Sequence, residues 1–250
     1  TQTMAGKIDL EQLHFSYIKG EEVLKGIDLQ VLPGETVAIV GATGAGKSTI
    51  INLLSRFYEF DSGDIKIDGT SIRDYALSDL RMHVAVVLQD VFLFADTIYN
   101  NITLYNPKIS LEQVQKAAKE IGVHEFISSL PGGYQYNVKE RGVMLSAGQR
   151  QLIAFLRAFL SKPTILILDE ATSSIDSYSE EFIQTATETI TKGKTSLIIA
   201  HRLATIQNAD RIVVMDQGLI VEVGTHKELL NKKNGYYKKL HQVQFSEVES

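Results

Sequence analysis

Gly41-Ala-Thr43-Gly44-Ala45-Gly46-Lys47-Ser48 carries the first chemistry legible in this chain. Glycines at this spacing let backbone N–H groups turn inward around an anion, and a helix opening at Lys47 adds the positive end of its dipole. In such a phosphate loop the lysine reaches the terminal phosphates of a nucleotide and the hydroxyl after it reaches magnesium. A structural glycine turn is the plain alternative. Downstream, the aliphatic run Ile165–Leu168 ends in Asp169-Glu170. Asp169 suits magnesium, through water. Glu170 suits a general base that polarises an attacking water, a role worth roughly 10²–10⁴-fold in rate. An Asp-Glu pair opening a loop is common on surfaces, and it gains meaning here from the phosphate loop. A third segment, Leu145-Ser146-Ala147-Gly148-Gln149, has the form of a capping box, and the first N–H groups of the helix it opens could grip a phosphate. An ordinary capped helix would carry the same residues.

The elements that must position these residues follow from periodicity. Ile8, Leu10, Leu13, Phe15 and Tyr17 alternate as a strand, Val23-Leu24 and Ile27–Leu29 follow a charged turn, and Pro33-Gly34 closes this antiparallel piece. Thr36–Val40, Val84–Leu88, Ile165–Leu168 and Leu197–Ala200 are apolar runs of the kind found in parallel strands buried on both faces. Each ends in a site candidate: Gly41, Gln89, Asp169-Glu170 and His201. Ligands bind at the carboxyl ends of such strands, so these residues are expected to converge. Ser48 to Tyr58 is the helix expected behind the phosphate loop. Asp64–Asp68 reads as a short strand. Between Asp90 and Leu160 the pattern turns helical, with a box at Ser110–Gln113, a stop at Gly122, and a stripe of Leu152, Ile153, Leu156, Phe159 and Leu160 before Pro163.

The 250 residues, 44% hydrophobic and 22% charged, are ordinary for a globular α/β protein. A net charge of −5 argues against broad nucleic-acid contact. No apolar run reaches the roughly 18 residues of a membrane span, so no direct membrane insertion by this segment is expected. With no cysteine there are neither disulfides nor thiolate metal sites, in keeping with the cytosol.

Taken together, the motifs resemble the nucleotide-binding domain of ATP-binding cassette (ABC) transporters, and the resemblance runs over nearly the whole chain. Leu145–Gln149 is similar to the family signature LSGGQ, with Ala147 at a glycine position. The resemblance implies a P-loop NTPase (RecA-like) core with an antiparallel β subdomain and an inserted α-helical subdomain: core 1–89 and 160–250, helical subdomain 90–159. It implies ATP and Mg2+ as cofactors. Tyr17 would stack on adenine, and Gly41, Thr43, Gly44, Ala45, Gly46, Lys47, Ser48, Thr49 and Gln89 would contact ATP. Ser48, Gln89 and Asp169 would hold magnesium, with Glu170 and His201 catalytic. Ser146, Ala147, Gly148 and Gln149 would face the ATP of a partner cassette, and Asp176, in Ser173–Asp176, would lie in the D-loop. For Tyr17, Gln89, Asp176 and His201, plain roles as a core tyrosine, a strand-end glutamine, a helix cap and a structural histidine fit the residue alone. Asp216–Leu230 resembles the family's closing hairpin and following helix.

Glu140-Arg-Gly142, the apolar segment Asp90–Ile98 and Gly235–Leu240 resemble exporter features, in which Val91, Phe92, Leu93 and Phe94 either receive membrane domains or join the core. The implied partners are transmembrane domains and a second cassette, with a heterodimer favoured because Ala147 departs from the signature. The implied place is the cytoplasmic face of the cell membrane, the domain being soluble when isolated; fusion of such cassettes behind membrane helices suggests a domain excised from a longer chain, with a full-length chain as the open alternative. An importer's ATPase subunit and a non-transport ABC ATPase are the alternatives. A GTPase lacks support, because no Asn-Lys-x-Asp motif occurs.

Overall fold

The structure is a computed structural model that describes residues 4–170 and 177–245. Two compact units divide the chain. The first holds the chain through Val84, the Thr164–Glu170 segment and the chain from Gly193 onward; the second holds Ala85–Pro163 and the helix that follows Glu170.

In the first unit, β1 (Ile8–Ile18) and β2 (Glu21–Val31) form a long antiparallel pair. Their register sets Leu10 against Leu29 and Phe15 against Leu24, so the alternation in sequence becomes one buried face. β4 (Ser62–Ile67) adds to the other side of β1, and β5 (Thr70–Ser71) closes a small sheet of order β2-β1-β4-β5. A second sheet is built on β3 (Thr36–Gly41), with β7 (Ile165–Asp169), β8 (Thr195–Ile199), β9 (Arg211–Asp216) and β10 (Leu219–Gly224). Its order runs β10-β9-β3-β8-β7. β9, β3, β8 and β7 are parallel, and β10 returns antiparallel through a turn at Gln217-Gly218. Val37–Val40 and all of β7 and β8 are buried, as expected of strands covered on both faces. The chain leaves this unit through α2 (Leu77–His83) and β6 (Val84–Val87).

α1 (Lys47–Leu54) follows the phosphate loop but is shorter than the expected 48–58. The Ser55 hydroxyl donates back to Ile51 O at 2.7 Å, and Arg56 leaves helical geometry at φ 49. Its guanidinium is held at 3.0 and 2.9 Å by the carbonyls of Ile72 and Tyr75, a tertiary pull on the chain that periodicity does not register. α8 (Leu203–Asn208), α9 (His226–Asn231) and α10 (Tyr236–Phe245) complete the unit.

The second unit is helical: α3 (Ile98–Thr103), α4 (Leu111–Glu120), α5 (His124–Ser129), α6 (Ala147–Leu160) and α7 (Ser177–Thr191). Capping boxes start α4 at Ser110 and α6 at Ser146, and Gly122 follows α4 at φ 78. The apolar cluster at 91–94 splits. Leu93 is fully buried, while Phe92 and Phe94 are exposed edge to face with centroids 5.2 Å apart.

Candidate active site

β3 delivers the phosphate loop to the carboxyl edge of the main sheet. Gly41 sits there at φ 153, and a side chain on it would meet Met215 O of the neighbouring strand at 2.2 Å. Thr43 and Gly44 form the exposed crest; Ala45, Gly46 and Thr49 are buried beneath it. Ala45 is tied on both sides, its N–H donating to Ala42 O at 3.1 Å and its carbonyl accepting from Gly218 N at 3.1 Å. Lys47 is only 8% exposed, and its ammonium donates to the carbonyls of Gly41 at 2.7 Å and Ala42 at 2.9 Å. Burial holds Lys47 below its ordinary pKa, and the charge of Asp169 pulls the other way.

The parallel strands β3, β8 and β7 end side by side, and this brings distant residues together. The Ser48 hydroxyl donates to Asp169 Oδ2 at 3.3 Å, across 121 residues of chain. Hydroxyl and carboxylate are hard oxygen donors of the type magnesium takes, usually one or two from protein with phosphate and water completing the shell. Among the described residues no three His, Asp or Glu side chains gather as a metal site.

Glu170 follows Asp169 and is 1% exposed. Its Oε2 accepts from His201 N at 2.9 Å and Arg202 N at 3.2 Å; its Oε1 accepts from the Thr205 hydroxyl and lies 3.9 Å from the Arg202 guanidinium. His201, at the end of β8, is half-buried, and desolvation with the positive charges of Lys47 and Arg202 holds its pKa below the ordinary value. The ring is therefore neutral at neutral pH.

Tyr17, near the end of β1, is 45% exposed. Its hydroxyl donates to Thr49 Oγ1 at 3.3 Å and accepts from Asn52 Nδ2 at 3.0 Å. Phe15 and Tyr58 pack edge-on against its ring at 4.7 and 5.0 Å. A core tyrosine would be enclosed, whereas this ring is clamped at its rim beside α1 and leaves aromatic surface open.

The remaining candidates belong to the second unit. The Ser146 hydroxyl accepts from Gln149 N at 3.2 Å, and Gln149 Oε1 accepts from Ser146 N at 3.0 Å. Ala147 is the first residue of α6 in ordinary right-handed backbone, as is Gly148, so the methyl at 147 is accommodated without strain. Gln89, exposed after β6, lines a cleft of about 810 Å³ with Val91, Phe92, Arg141, Ala147 and Arg150. Lys139 and Arg141 beside it adopt positive φ, of 61 and 53. Asp176 lies outside the described residues.

Sequence reasoning missed Thr205, Arg202, Asn52 and Tyr58 as site residues. Asn52 and Tyr58 stand among helix-like neighbours. Thr205 follows His201 by one helical turn, but no spacing rule links it to Glu170.

Residues 24–173 match the ABC transporter domain family, and the chain belongs to that family. It is 50% identical over 241 residues to the uncharacterized ABC transporter ATP-binding protein YknV of Bacillus subtilis, covering 96% of this chain and 40% of that protein. It is 49% identical over 248 residues to an ATP-dependent lipid A-core flippase of Hahella chejuensis, covering 98% of this chain and 42% of that protein. The structure superposes on a bacterial Atm1-family ABC exporter with ATP bound at TM-score 0.89 and 38% identity, covering 98% of this chain and 44% of that one. The chain spans about two-fifths of the length of these relatives. The family is characterised by ATPase activity, and the relatives named include an ATP-dependent flippase and an exporter with ATP bound.

Proposed function

We propose that this chain binds Mg·ATP on its phosphate loop, closes face to face with a second cassette and hydrolyses the nucleotide to power export through transmembrane domains. The observation that carries this reading is the meeting of Lys47, the Ser48–Asp169 pair and the Glu170–His201 contact at adjoining strand ends. Lys47 would exchange its loop carbonyls for β- and γ-phosphate oxygens, and the inward N–H groups of 41–49 would hold the remaining oxygens. Ser48 and Asp169 would hold magnesium, which would supply charge neutralisation at the phosphates. Glu170 would take the proton of the attacking water, while neutral His201 would donate a hydrogen bond to the γ-phosphate. Tyr17 would stack on adenine.

Ser146, Ala147, Gly148 and Gln149 would contact the γ-phosphate of the ATP held by the partner. Asp176 would meet the partner in the D-loop. Each charge-assisted contact of this kind is worth about 1.5–3 kcal/mol, so nucleotide can join the two faces and its loss can part them. Phe92, Phe94 and Val143 around the cleft of the second unit offer apolar surface suited to membrane domains on the cytoplasmic side. The core-and-insertion division at 89/90 and 159/160 belongs to this reading. No helix among the described residues is long and apolar enough to cross a membrane.

The departure at Ala147 favours a heterodimer in which this chain lends its phosphate loop to the stronger site and its signature to the weaker. Ala147→Gly should then raise turnover, and no change would count against the pairing. The main test is Mg-dependent ATP hydrolysis by the complete transporter. Glu170→Gln should cut turnover by roughly 10²–10⁴-fold with ATP binding retained. Unchanged turnover would refute the assignment.

A further inference from the structure

Glu170 is turned into the protein, with both carboxylate oxygens bonded there. A general base presents an oxygen within about 2.6–3.2 Å of the proton it takes. Both carboxylate oxygens here are committed to groups inside the protein, and the side chain is 1% exposed. What holds it is the start of α8. Arg202 is the N-cap of that helix and makes no side-chain cap of its own. Glu170, from the end of β7, performs the capping across the sheet: it accepts from the amides of His201 and Arg202 and from the buried hydroxyl of Thr205, one turn in.

The three donors are not equivalent. The two amides move only if the backbone after β8 moves. The hydroxyl moves by rotation about χ1, and a helical threonine has a second favoured rotamer in which Oγ1 bonds the carbonyl three or four residues back. For Thr205 the one at the start of its own helix is the carbonyl of the N-cap Arg202, three residues back. The hydroxyl therefore has a candidate second acceptor besides Glu170, and turning to it keeps the hydroxyl bonded while taking one donor from the buried Oε1 of Glu170.

We propose that Thr205 is a positioning residue that latches Glu170 in a withdrawn state, and that turning its hydroxyl onto the helix frees the carboxylate for catalysis. The latch rests on the reading of Glu170 as general base. The carboxylate that Thr205 holds also grips the amide of His201, so release of the base would be linked to movement of the histidine.

The experiment is steady-state ATP hydrolysis by the complete transporter in lipid nanodiscs without transport substrate, measuring kcat and KM for ATP. Thr205→Val removes the hydroxyl and keeps the shape. It should raise basal kcat roughly 3- to 10-fold, part of what one hydrogen bond to a charged group is worth. KM should stay within about twofold, since no ATP contact is lost. Thr205→Ser should restore wild-type rates, and the gain should vanish in Thr205→Val/Glu170→Gln. Thr205→Ala carries the same expectation if valine disturbs assembly. A kcat that is unchanged or lower, with Glu170→Gln inactive, would overturn the latch and leave the base assignment standing. A gain shared by Thr205→Ser would also overturn it. An active Glu170→Gln would remove both.

Discussion

Gly41→Ala tests the phosphate loop most sharply, because two independent penalties meet at one Cβ. Gly41 has φ 153, and an added Cβ would stand 2.2 Å from Met215 O and 3.1 Å from Met215 C, both backbone atoms of the paired strand β9. Neither atom can swing aside as a side-chain end could. A sparsely populated backbone conformation costs about 1–3 kcal/mol. Overpacking against a fixed wall costs about 1–3 kcal/mol more. The sum, about 2–6 kcal/mol, converts at about 2–4 °C per kcal/mol for a domain of this size into a melting point lower by about 5–20 °C. Gly44→Ala is the control: its φ is 81, but nothing lies within 4 Å of its Cβ, so only the backbone term of about 1–2 kcal/mol applies. Calorimetry with and without Mg·ATP, beside nucleotide titration, would separate them. Gly41→Ala should melt early and gain little from nucleotide; Gly44→Ala should melt only about 2–8 °C below wild type. A Gly41→Ala protein within about 2 °C of wild type that binds ATP normally would refute the reasoning.

Other outcomes follow from the same geometry. Tyr17→Ala should weaken ATP binding by about 1–3 kcal/mol, roughly 5- to 150-fold, while Tyr17→Phe keeps most of it, as fluorescence titration would show. Equal losses in both would mean the hydroxyl bonds to Thr49 and Asn52 matter more than the ring. Ser146→Ala removes a capping box from α6 and should cost about 0.5–2 kcal/mol in unfolding free energy. Acid should destabilise the protein through His201. Its folded pKa lies below the unfolded one, so the unfolded chain binds the proton first, and stability falls as pH drops below about 6.5 toward the folded value. His226, held low by burial and His241, acts in the same direction. His201→Gln should therefore flatten part, but not all, of the fall in melting temperature between pH 7 and pH 5, the range that brackets an ordinary histidine.

Much of the architecture was legible because its causes are local. Alternation over Ile8–Tyr17 gave a strand with one buried face, continuous apolar runs gave strands covered on both, and Ser-x-x-Gln at 110 and 146 gave two capped helices. The polar ends of those runs were also expected to converge, and parallel strands that finish together bring Gly41, Asp169 and His201 to one edge. The helix after the phosphate loop was read too long, because what ends it is a grip on Arg56 from carbonyls at 72 and 75. The cluster at 91–94 reads equally as core or as contact surface, and packing divides it between Leu93 and its exposed phenylalanines.

By itself the sequence determined which groups can do chemistry and roughly where along the sheet they stand, since motif spacing and strand periodicity act over a few residues. Only the tertiary structure decided which way those groups point. Glu170 is turned onto amides and a hydroxyl 31 to 35 residues away, Ser48 meets a carboxylate 121 residues on, and Tyr17 is clamped by residues of α1. Orientations of this kind depend on how strands and helices distant in sequence pack, and short-range residue patterns do not record that packing.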